Sequence, residues 1–468
     1  MTKIGLEIHC QLTKLESKLF CNCKADYRSI PPNSNICPVC IGLPGALPIL
    51  NKKAVEKATV ISLALGCQIP ERISFFRKNY FYPDLPKGFQ VTQYNAYGPT
   101  SIGSDGTVQI EGKEIKIRRI QLEEDPGRLV YEGSSEKTQI TLVDYNRAGT
   151  SLVEIVTEPD FENPRQVRIF LNVLADLVEN LGVSDPYLEG AMRVDGNISV
   201  EKANRVEIKN VGSFRDIEKA LHFEITRQQS LVERNIPVAA ETRHWDEARK
   251  ITVSSRSKEE EQDYRYLPEA DIPIVRIAQN KIETLKSQMP ESIAAKKERY
   301  VKKYGIPPQV GDVLSSDKFY SDLFEKAHTD TNAKEVANMI TTDLMGFADT
   351  REKKLELKIT SRHISDLADA ILNNKITRNS GKLALQEMVK TGKSLSEIVS
   401  SLDLGNVSDA SSLEKIIDEV FKEEEKAVLE AKQNPDTVNY IVGKVMRKTK
   451  GKADPSITLE IIRRKLSS

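Results

Sequence analysis

A change in the character of the sequence near Pro290 is the feature that most constrains the fold. Before it, alternating polar and apolar residues predict strands at 115–122 and 193–200, and amphipathic stretches predict helices at 164–182 and 213–234. After it, the chain is rich in Lys, Glu, Ala and Leu and shows almost no strand signal. Because the first part mixes strands and helices without regular βαβ alternation, the sequence predicts an α+β fold with an antiparallel sheet, followed by an all-α region.

The length and the breaks in this pattern predict three domains. A chain of 468 residues is long enough for several domains of about 100–200 residues each. The change near Pro290 and a second break at 403–412, rich in Asp, Gly and Ser, divide it. We therefore predict an α+β domain over 1–290, a helical domain over 291–405 and a small helical tail domain over 406–468.

Composition excludes several classes of protein. The 68 Lys and Arg residues balance 68 Asp and Glu residues, so any contact with nucleic acid must come from a local patch. No apolar run approaches the roughly 18 residues of a membrane span, and MTKIGLEIHCQL lacks the apolar core of a signal peptide. Six cysteines are too few for a disulfide scaffold in a chain of this length. The sequence thus predicts a cytoplasmic protein with no membrane association.

Two close cysteine pairs predict a zinc site. Cys21 and Cys23 are followed, after thirteen residues, by Cys37 and Cys40. Four thiolates at this spacing can surround one zinc ion tetrahedrally, and the loop 21–40 has too few apolar residues to form a core of its own. The alternative is four unrelated reduced thiols. The predicted site is structural, because a closed set of four thiolates leaves no open position for catalysis.

Acidic residues lie on one face of several predicted strands. Side chains alternate between the two faces of a strand, so Glu7 shares a face with His9. Asp195 and Asn197 likewise share a face with Arg193. Further acids on strands or at strand ends are Glu123, Glu124, Glu154 and Glu207. The alternative is an ordinary solvated sheet face, but acids with one histidine suit magnesium or manganese better than zinc, and magnesium implies a phosphate ligand.

A short cationic and aromatic stretch is a candidate nucleotide site. The segment RKNYFYPD at 77–84 carries Arg77, Lys78 and Tyr80, which could hold phosphates and stack on a base. The alternative is a buried aromatic turn with exposed cations. The sequence has no G-x-x-x-x-G-K-[ST] loop, no G-x-G-x-x-G turn and no kinase catalytic loop, so an ATP site would be of another type.

Several long motifs, in this order, resemble the B-subunit family of tRNA-dependent amidotransferases. They are GLEIHCQL, NICPVCIGLPGALPILN, RKNYFYPDLPKGFQVTQY, RIQLEEDPGR, VDYNRAGTSLVEIVTEPDF, EGAMRVDGNISV, RVEIKNVGSFR, ETRHWDE and RSKEEEQDYRYLPEADIP. The resemblance covers roughly residues 4–275 and resumes in the tail at VGKVMRKTKGKADP. The helical region between them is similar in character only.

The resemblance implies a heterotrimer in which an amidase, the A subunit, releases ammonia from glutamine and a small C subunit completes the complex. The B subunit would hold Glu-tRNA(Gln) or Asp-tRNA(Asn) in a cradle-shaped N-terminal domain. There it would transfer phosphate from ATP to the side-chain carboxylate, and ammonia would displace the phosphate. Phosphorylation gives the carboxylate a good leaving group, a step that needs charge neutralisation more than a nucleophilic side chain.

The resemblance also implies roles for individual residues. The magnesium-binding positions of the family fall on Glu7, His9, Glu123, Glu124, Glu154 and Glu207. The residues expected to be catalytic are Glu7, His9, Lys78 and Glu124. The residues expected to contact ATP are Arg77, Lys78, Tyr80, Asp195 and Asn197. Some members have a zinc site matching the cysteines of the loop 21–40, so the cofactors implied are ATP, Mg²⁺ and structural Zn²⁺.

Two other interpretations are open at this stage. The archaeal E-type relative, which works with a different amidase, is longer and carries a domain inserted before the helices. Here the cradle motifs end near Pro273 and helices begin by about 291, which leaves no room for that insertion. The other alternative is a non-catalytic, zinc-stabilised tRNA-binding protein, which the acid-rich strand faces disfavour.

The end of the chain is locally basic. From 440 to 468, the only acids, Asp454 and Glu460, stand against Lys444, Arg447, Lys448, Lys450, Lys452, Arg463, Arg464 and Lys465. Such residues on short helices would make phosphate contacts that do not depend on base sequence, and the alternative is a solvated helix end. The resemblance implies a small helical module that contacts the body of the tRNA.

Overall fold

The computed structural model describes residues 2–95, 98–131, 140–209, 211–257, 264–348, 350–402, 404, 410–431, 436–449, 453 and 455–467. The chain divides into two compact units, Met1–Glu291 and Ser292–Ser468. Most of the predicted break at 403–412 lies outside the described residues, as do Lys450, Lys452 and Asp454. The division into three domains therefore stays a prediction.

The first unit mixes strands and helices, which confirms the α+β class. Its strands are β1 (Lys3–Gln11), β2 (Arg72–Ile73), β3 (Phe76–Asn79), β4 (Phe89–Thr92), β5 (Gly103–Ile110), β6 (Lys113–Glu124), β7 (Arg128–Tyr131), β8 (Thr141–Asp144), β9 (Ser151–Thr157), β10 (Met192–Ser199), β11 (Val206–Lys209), β12 (Glu241–Asp246), β13 (Ile251–Ser257), β14 (Leu267–Pro268) and β15 (Val275–Arg276). Its helices are α1 (Lys52–Ala64), α2 (Pro164–Asn180), α3 (Phe214–Glu233) and α4 (Gln279–Gln288).

Eight of these strands form one sheet in the order β13-β12-β11-β10-β1-β9-β6-β5. Neighbouring strands are antiparallel except β11 and β12, which run parallel and are joined through α3. A parallel pair needs such a crossover because its strands start at the same edge of the sheet. Among the smaller sheets, β3 lies between β14 and β4. The predicted antiparallel sheet is thus correct apart from one strand pair.

One face of the large sheet is apolar and faces the core. In the central strand β1, Ile4, Leu6 and Ile8 are fully buried and join a core that includes apolar residues of α2 and α3. Both helices begin at a capping residue: Asn163 accepts a hydrogen bond from the Gln166 N–H, and Ser213 caps α3 in the same way. The opposite face of the sheet is left to polar side chains, including the candidate site residues.

The second unit is helical, as predicted. Its α-helices are α5 (Ile293–Tyr304), α6 (Pro308–Ser316), α7 (Lys318–Ala327), α8 (Ala333–Asn338), α9 (Arg351–Glu356), α10 (Ser361–Leu372), α11 (Arg378–Thr391), α12 (Leu395–Ser401), α13 (Ala410–Glu423), α14 (Glu425–Ala431), α15 (Asp436–Lys448) and α16 (Pro455–Ser467). A π-helix, Met339–Leu344, and a short 3-10 helix, Met345–Phe347, follow α8. The unit has two hydrophobic clusters, one between Tyr300 and Leu404 and one between Leu413 and Ile462. Within the described residues, no helix is both long and apolar enough to cross a membrane.

Acids of α13, together with Glu424 between α13 and α14, neutralise part of the basic tail. The pairs are Lys444 with Glu424 at 2.5 Å, Lys448 with Glu423 at 2.7 Å, Lys465 with Asp418 at 2.5 Å, and Arg464 with Glu414. The tail is therefore less basic than the count over 440–468 indicates, because packing brings acids from outside that window.

Candidate metal and substrate site

The polar face of the large sheet brings together acids from distant parts of the chain. β1 lies between β10 and β9, with Glu7 opposite Asp195 and His9 opposite Glu154. Directly opposed residues of antiparallel strands point to the same face with their Cβ atoms about 5 Å apart. Glu123 reaches the same face from β6, the strand beyond β9.

His9 is the centre of this carboxylate cluster. Its Nε2 lies 3.6 Å from a carboxylate oxygen of Glu7, 3.8 Å from Glu123 and 3.7 Å from Glu154. Two overlapping triads, His9 with Glu123 and Glu154 and His9 with Glu7 and Asp195, each hold their ligand atoms within 4.8 Å of one another. The structure thus assembles four of the predicted acids around the imidazole of His9.

Burial makes the cluster a poor place for charge without a cation. Burial and the neighbouring Glu154 raise the pKa of Glu123 to about 8, and burial with Glu7 raises the pKa of Glu154 to about 7. Burial lowers the pKa of His9 to about 4, so its imidazole is neutral near pH 7. A neutral imidazole among carboxylates that resist ionisation fits a hard divalent cation such as Mg²⁺, which would stabilise the carboxylates in their charged form.

Asp195 on β10 and Glu207 on β11 lie on the side of β1 that is away from β9. Both acids pair with the same lysine. Lys209 Nζ is 3.0 Å from a carboxylate oxygen of Asp195 and 3.3 Å from one of Glu207. Glu207 also accepts a hydrogen bond from Thr242, and its strand partner is Asn197. Asp195 belongs to one of the two triads that contain His9, whereas Glu207 and Asn197 belong to neither.

Glu124 is not brought into the cluster. It is adjacent to Glu123 on β6, so its side chain points to the opposite face of the sheet. There its carboxylate lies 2.5 Å from Lys87 Nζ and accepts a hydrogen bond of 2.8 Å from the Val91 N–H. No sequence pattern indicated Lys87 as a partner, because the contact joins residues far apart in the chain.

Arg77 and Lys78 also point to opposite sides of their strand, β3. Arg77 makes two hydrogen bonds of 2.7 Å to Glu269, which occupy its guanidinium. Lys78 Nζ lies 4.7 Å from the ring centre of Tyr264 and 5.6 Å from that of Tyr80. The charge of Lys78 opposes the rise in pKa of the buried glutamates, so Lys78, and not Arg77, faces the carboxylate cluster.

Aromatic residues that the sequence reasoning missed extend this surface. Tyr266 stacks on Tyr94 with ring centres 3.8 Å apart and an interplanar angle of 3°. Tyr264 packs edge-on against Tyr80 and Tyr266. Tyr264 and Tyr266 follow the large sheet's last strand, and only the fold brings them beside β3.

The four paired cysteines form one cluster, as their spacing indicated. Cys21, Cys23, Cys37 and Cys40 hold their sulfur atoms within 4.8 Å of one another. The Cys40 sulfur accepts a hydrogen bond from the Cys37 N–H at 3.0 Å. A hydrogen bond from Cys21 lowers the pKa of the Cys40 thiol to about 5, which favours a thiolate. This donor set fits a structural zinc ion.

The site thus combines an acidic face that could hold a metal ion with a neighbouring cationic and aromatic strand, and comparison with known proteins identifies the family. A model described as the GatB/GatE catalytic domain matches residues 2–283, and one described as the GatB domain matches residues 322–466. The B subunit of the aspartyl/glutamyl-tRNA(Asn/Gln) amidotransferase from Saccharolobus solfataricus is 45% identical over 469 residues, which cover 100% of this chain and 99% of that protein. The B subunit of the same name from Thermotoga maritima is 43% identical over 478 residues, with coverage of 99% and 98%. The chain belongs to the GatB family of amidotransferase B subunits, which confirms the resemblance in the motifs.

Proposed function

We propose that this chain acts as the B subunit of an aspartyl/glutamyl-tRNA(Asn/Gln) amidotransferase, an ATP-dependent ligase of the cytoplasm. It binds Glu-tRNA(Gln) or Asp-tRNA(Asn) and phosphorylates the side-chain carboxylate. Ammonia from the amidase, the A subunit of a heterotrimer that also holds a small C subunit, then replaces the phosphate to give the amide. The full-length similarity to proteins with this name supports the proposal.

The buried cluster around His9 is the observation that carries this proposal. Magnesium held there would neutralise charge on the transferring phosphate. His9 offers a neutral nitrogen, and Glu123 and Glu154 offer oxygens on one side while Glu7 offers them on the other. Lys78 provides a further cation on the side of the glutamate pair.

The remaining predicted residues are proposed to position the site or the nucleotide. Tyr80, together with Tyr264, offers an aromatic surface for a base. Asp195 and Asn197 border the cluster on β10. Because their charges are already paired, Arg77 and Glu124 are proposed to fix the surrounding strands and not to contact phosphate or metal. Glu207 is proposed to act through Lys209.

Reconstitution tests the function directly. The purified chain, combined with the amidase and the small C subunit, should convert Asp-tRNA(Asn) or Glu-tRNA(Gln) to the amide when ATP, magnesium and glutamine are all present. Omitting ATP should abolish product and leave glutamine hydrolysis by the amidase measurable. Amide formation without ATP, or none with any of the mischarged tRNAs, would contradict the proposal.

We also propose that the tail contacts the tRNA body, through fewer cations than the sequence indicates. Lys444 and Lys448 already pair with acids at the end of α13 and with Glu424. A triple Glu419/Glu423/Glu424→Gln variant should therefore bind tRNA more tightly and with a steeper dependence on salt. Filter binding over a range of KCl concentrations measures both. A variant with unchanged affinity and salt slope would argue that α15 does not face the tRNA.

A further inference from the structure

Arg193 stands beside the carboxylate cluster and has one buried N–H group with no hydrogen-bond partner among the described residues. It lies on β10 directly opposite His9, the centre of the cluster. Directly opposed residues of antiparallel strands project their side chains to the same face of the sheet. Arg193 therefore faces the same space as the proposed metal ligands.

A buried aspartate fixes the position of Arg193. One terminal nitrogen, Nη2, donates a hydrogen bond of 2.7 Å to Asp125, which is 1% exposed. The other carboxylate oxygen of Asp125 accepts a hydrogen bond of 2.6 Å from Gln11. Arg147 Nε lies 3.7 Å from the same oxygen of Asp125 that accepts the hydrogen bond from Arg193. Three side chains thus surround the carboxylate of Asp125, which orients the guanidinium of Arg193.

Asp125 does not use all the donors of the Arg193 guanidinium. Its Nε is buried and has no hydrogen-bond partner among the described residues, although one third of the side chain is exposed. A buried unpaired N–H is costly, and proteins retain one mainly where a ligand or a water completes it. Two neighbouring cations already bind other groups of the protein. Arg147 donates to the backbone carbonyls of Pro126 and Gly127, and Lys209 pairs with two acids.

We propose that Arg193 binds the side-chain carboxylate of the aminoacyl group and so distinguishes an acidic aminoacyl-tRNA from its amide. The proposal rests on the function proposed above. Negative charge on Glu7, Glu123 and Glu154 would repel an anionic substrate, and a fixed cation beside the metal position offsets that repulsion. A guanidinium suits this task because its planar fork matches a carboxylate.

Binding measurements with the assembled complex test this role without relying on turnover. The wild-type complex should bind Asp-tRNA(Asn) or Glu-tRNA(Gln) about 10- to 100-fold more tightly than the same tRNA without its amino acid, or than Asn-tRNA(Asn) or Gln-tRNA(Gln). Arg193→Gln should remove this preference and leave the affinity for deacylated tRNA unchanged. Arg193→Lys, which keeps the charge without the fork, should restore part of the preference.

Several outcomes would overturn the assignment. One is an Arg193→Gln complex that keeps the wild-type preference for the acidic form. Another is an equal loss of affinity for all tRNAs with a lowered melting temperature in both Arg193 variants, which would mark a structural role. A raised KM for ATP with an unchanged tRNA preference would assign Arg193 to the nucleotide phosphate. Failure of the proposed function is separate, because it would appear as a wild-type complex that forms no amide.

Discussion

Replacing Glu154 with glutamine should lower the rate of ATP-dependent amide formation by about 100- to 1,000-fold, the effect expected when one preorganised electrostatic group is lost from a catalytic site. Glu154 lies opposite His9 and 3.7 Å from its Nε2. Glutamine keeps the shape of the side chain and removes the charge that a magnesium ion would need. Single-turnover assays of the reconstituted complex measure the effect.

The stability of the Glu154→Gln variant shows whether a lower rate comes from lost magnesium binding or from misfolding. The pKa of Glu154 is raised in the folded protein to about 7, so its contribution to stability is present at low pH and is lost as the pH rises through 7. At pH 8, without magnesium, the glutamine variant should therefore be at least as stable as the wild type. Magnesium should bind the wild type more tightly at pH 8 than at pH 6, as calorimetry can show, and should bind the variant weakly at both.

Glu158 provides the matched control for Glu154. It follows the same strand but pairs with Arg118 at the surface, at 2.7 Å. Glu158→Gln should leave both magnesium binding and amide formation close to wild type. A folded Glu154→Gln complex with the wild-type rate would show that the cluster is not the site of phosphate transfer.

Removing two of the proposed zinc ligands, by Cys21→Ser combined with Cys40→Ser, should abolish zinc binding and lower the melting temperature by on the order of 10 °C. A structural zinc site contributes its binding energy to folding, and one kcal/mol corresponds to about 2–4 °C in a protein of roughly 150–250 residues. Elemental analysis should find about one zinc per wild-type chain and none in the variant. Thermal unfolding followed by circular dichroism measures the shift.

Ser34→Ala is a suitable control for the cysteine variant, since Ser34 lies in the same loop and its hydroxyl hydrogen-bonds only to the nearby Pro31 carbonyl among the described residues. It should keep both the zinc and the melting temperature. Wild-type protein that contains no zinc and is unaffected by a chelator would refute a structural metal here.

Patterns between nearby residues of the sequence correctly predicted two parts of the site. The alternation of β1 placed Glu7 and His9 on one face, and the spacing of the cysteines predicted their cluster, because both follow from neighbours in the chain. The same alternation also separates Glu123 from Glu124, and Arg77 from Lys78. Family resemblance had grouped each of these pairs by function.

The sequence did not predict the contacts between residues that are far apart in the chain. No local signal indicates that β1 lies between β9 and β10, and this strand order is what brings Glu154 and Asp195 to His9. The pairing of Lys87 with Glu124, and of the tail lysines with acids of α13 and with Glu424, likewise joins segments whose proximity depends on packing. These contacts decide which charges remain available to a ligand.

The strand order also sets when each metal site can exist during synthesis. The four cysteines lie within 21–40, so a zinc ion could close that loop soon after it leaves the ribosome. The acidic side chains around His9 come from β1, β6, β9 and β10, and the last of these ends at Ser199. A ribosome-bound chain that stops before β10 would therefore already have all four proposed zinc ligands, whereas it would lack Asp195 and the strand that borders β1, so its acidic face would still be incomplete.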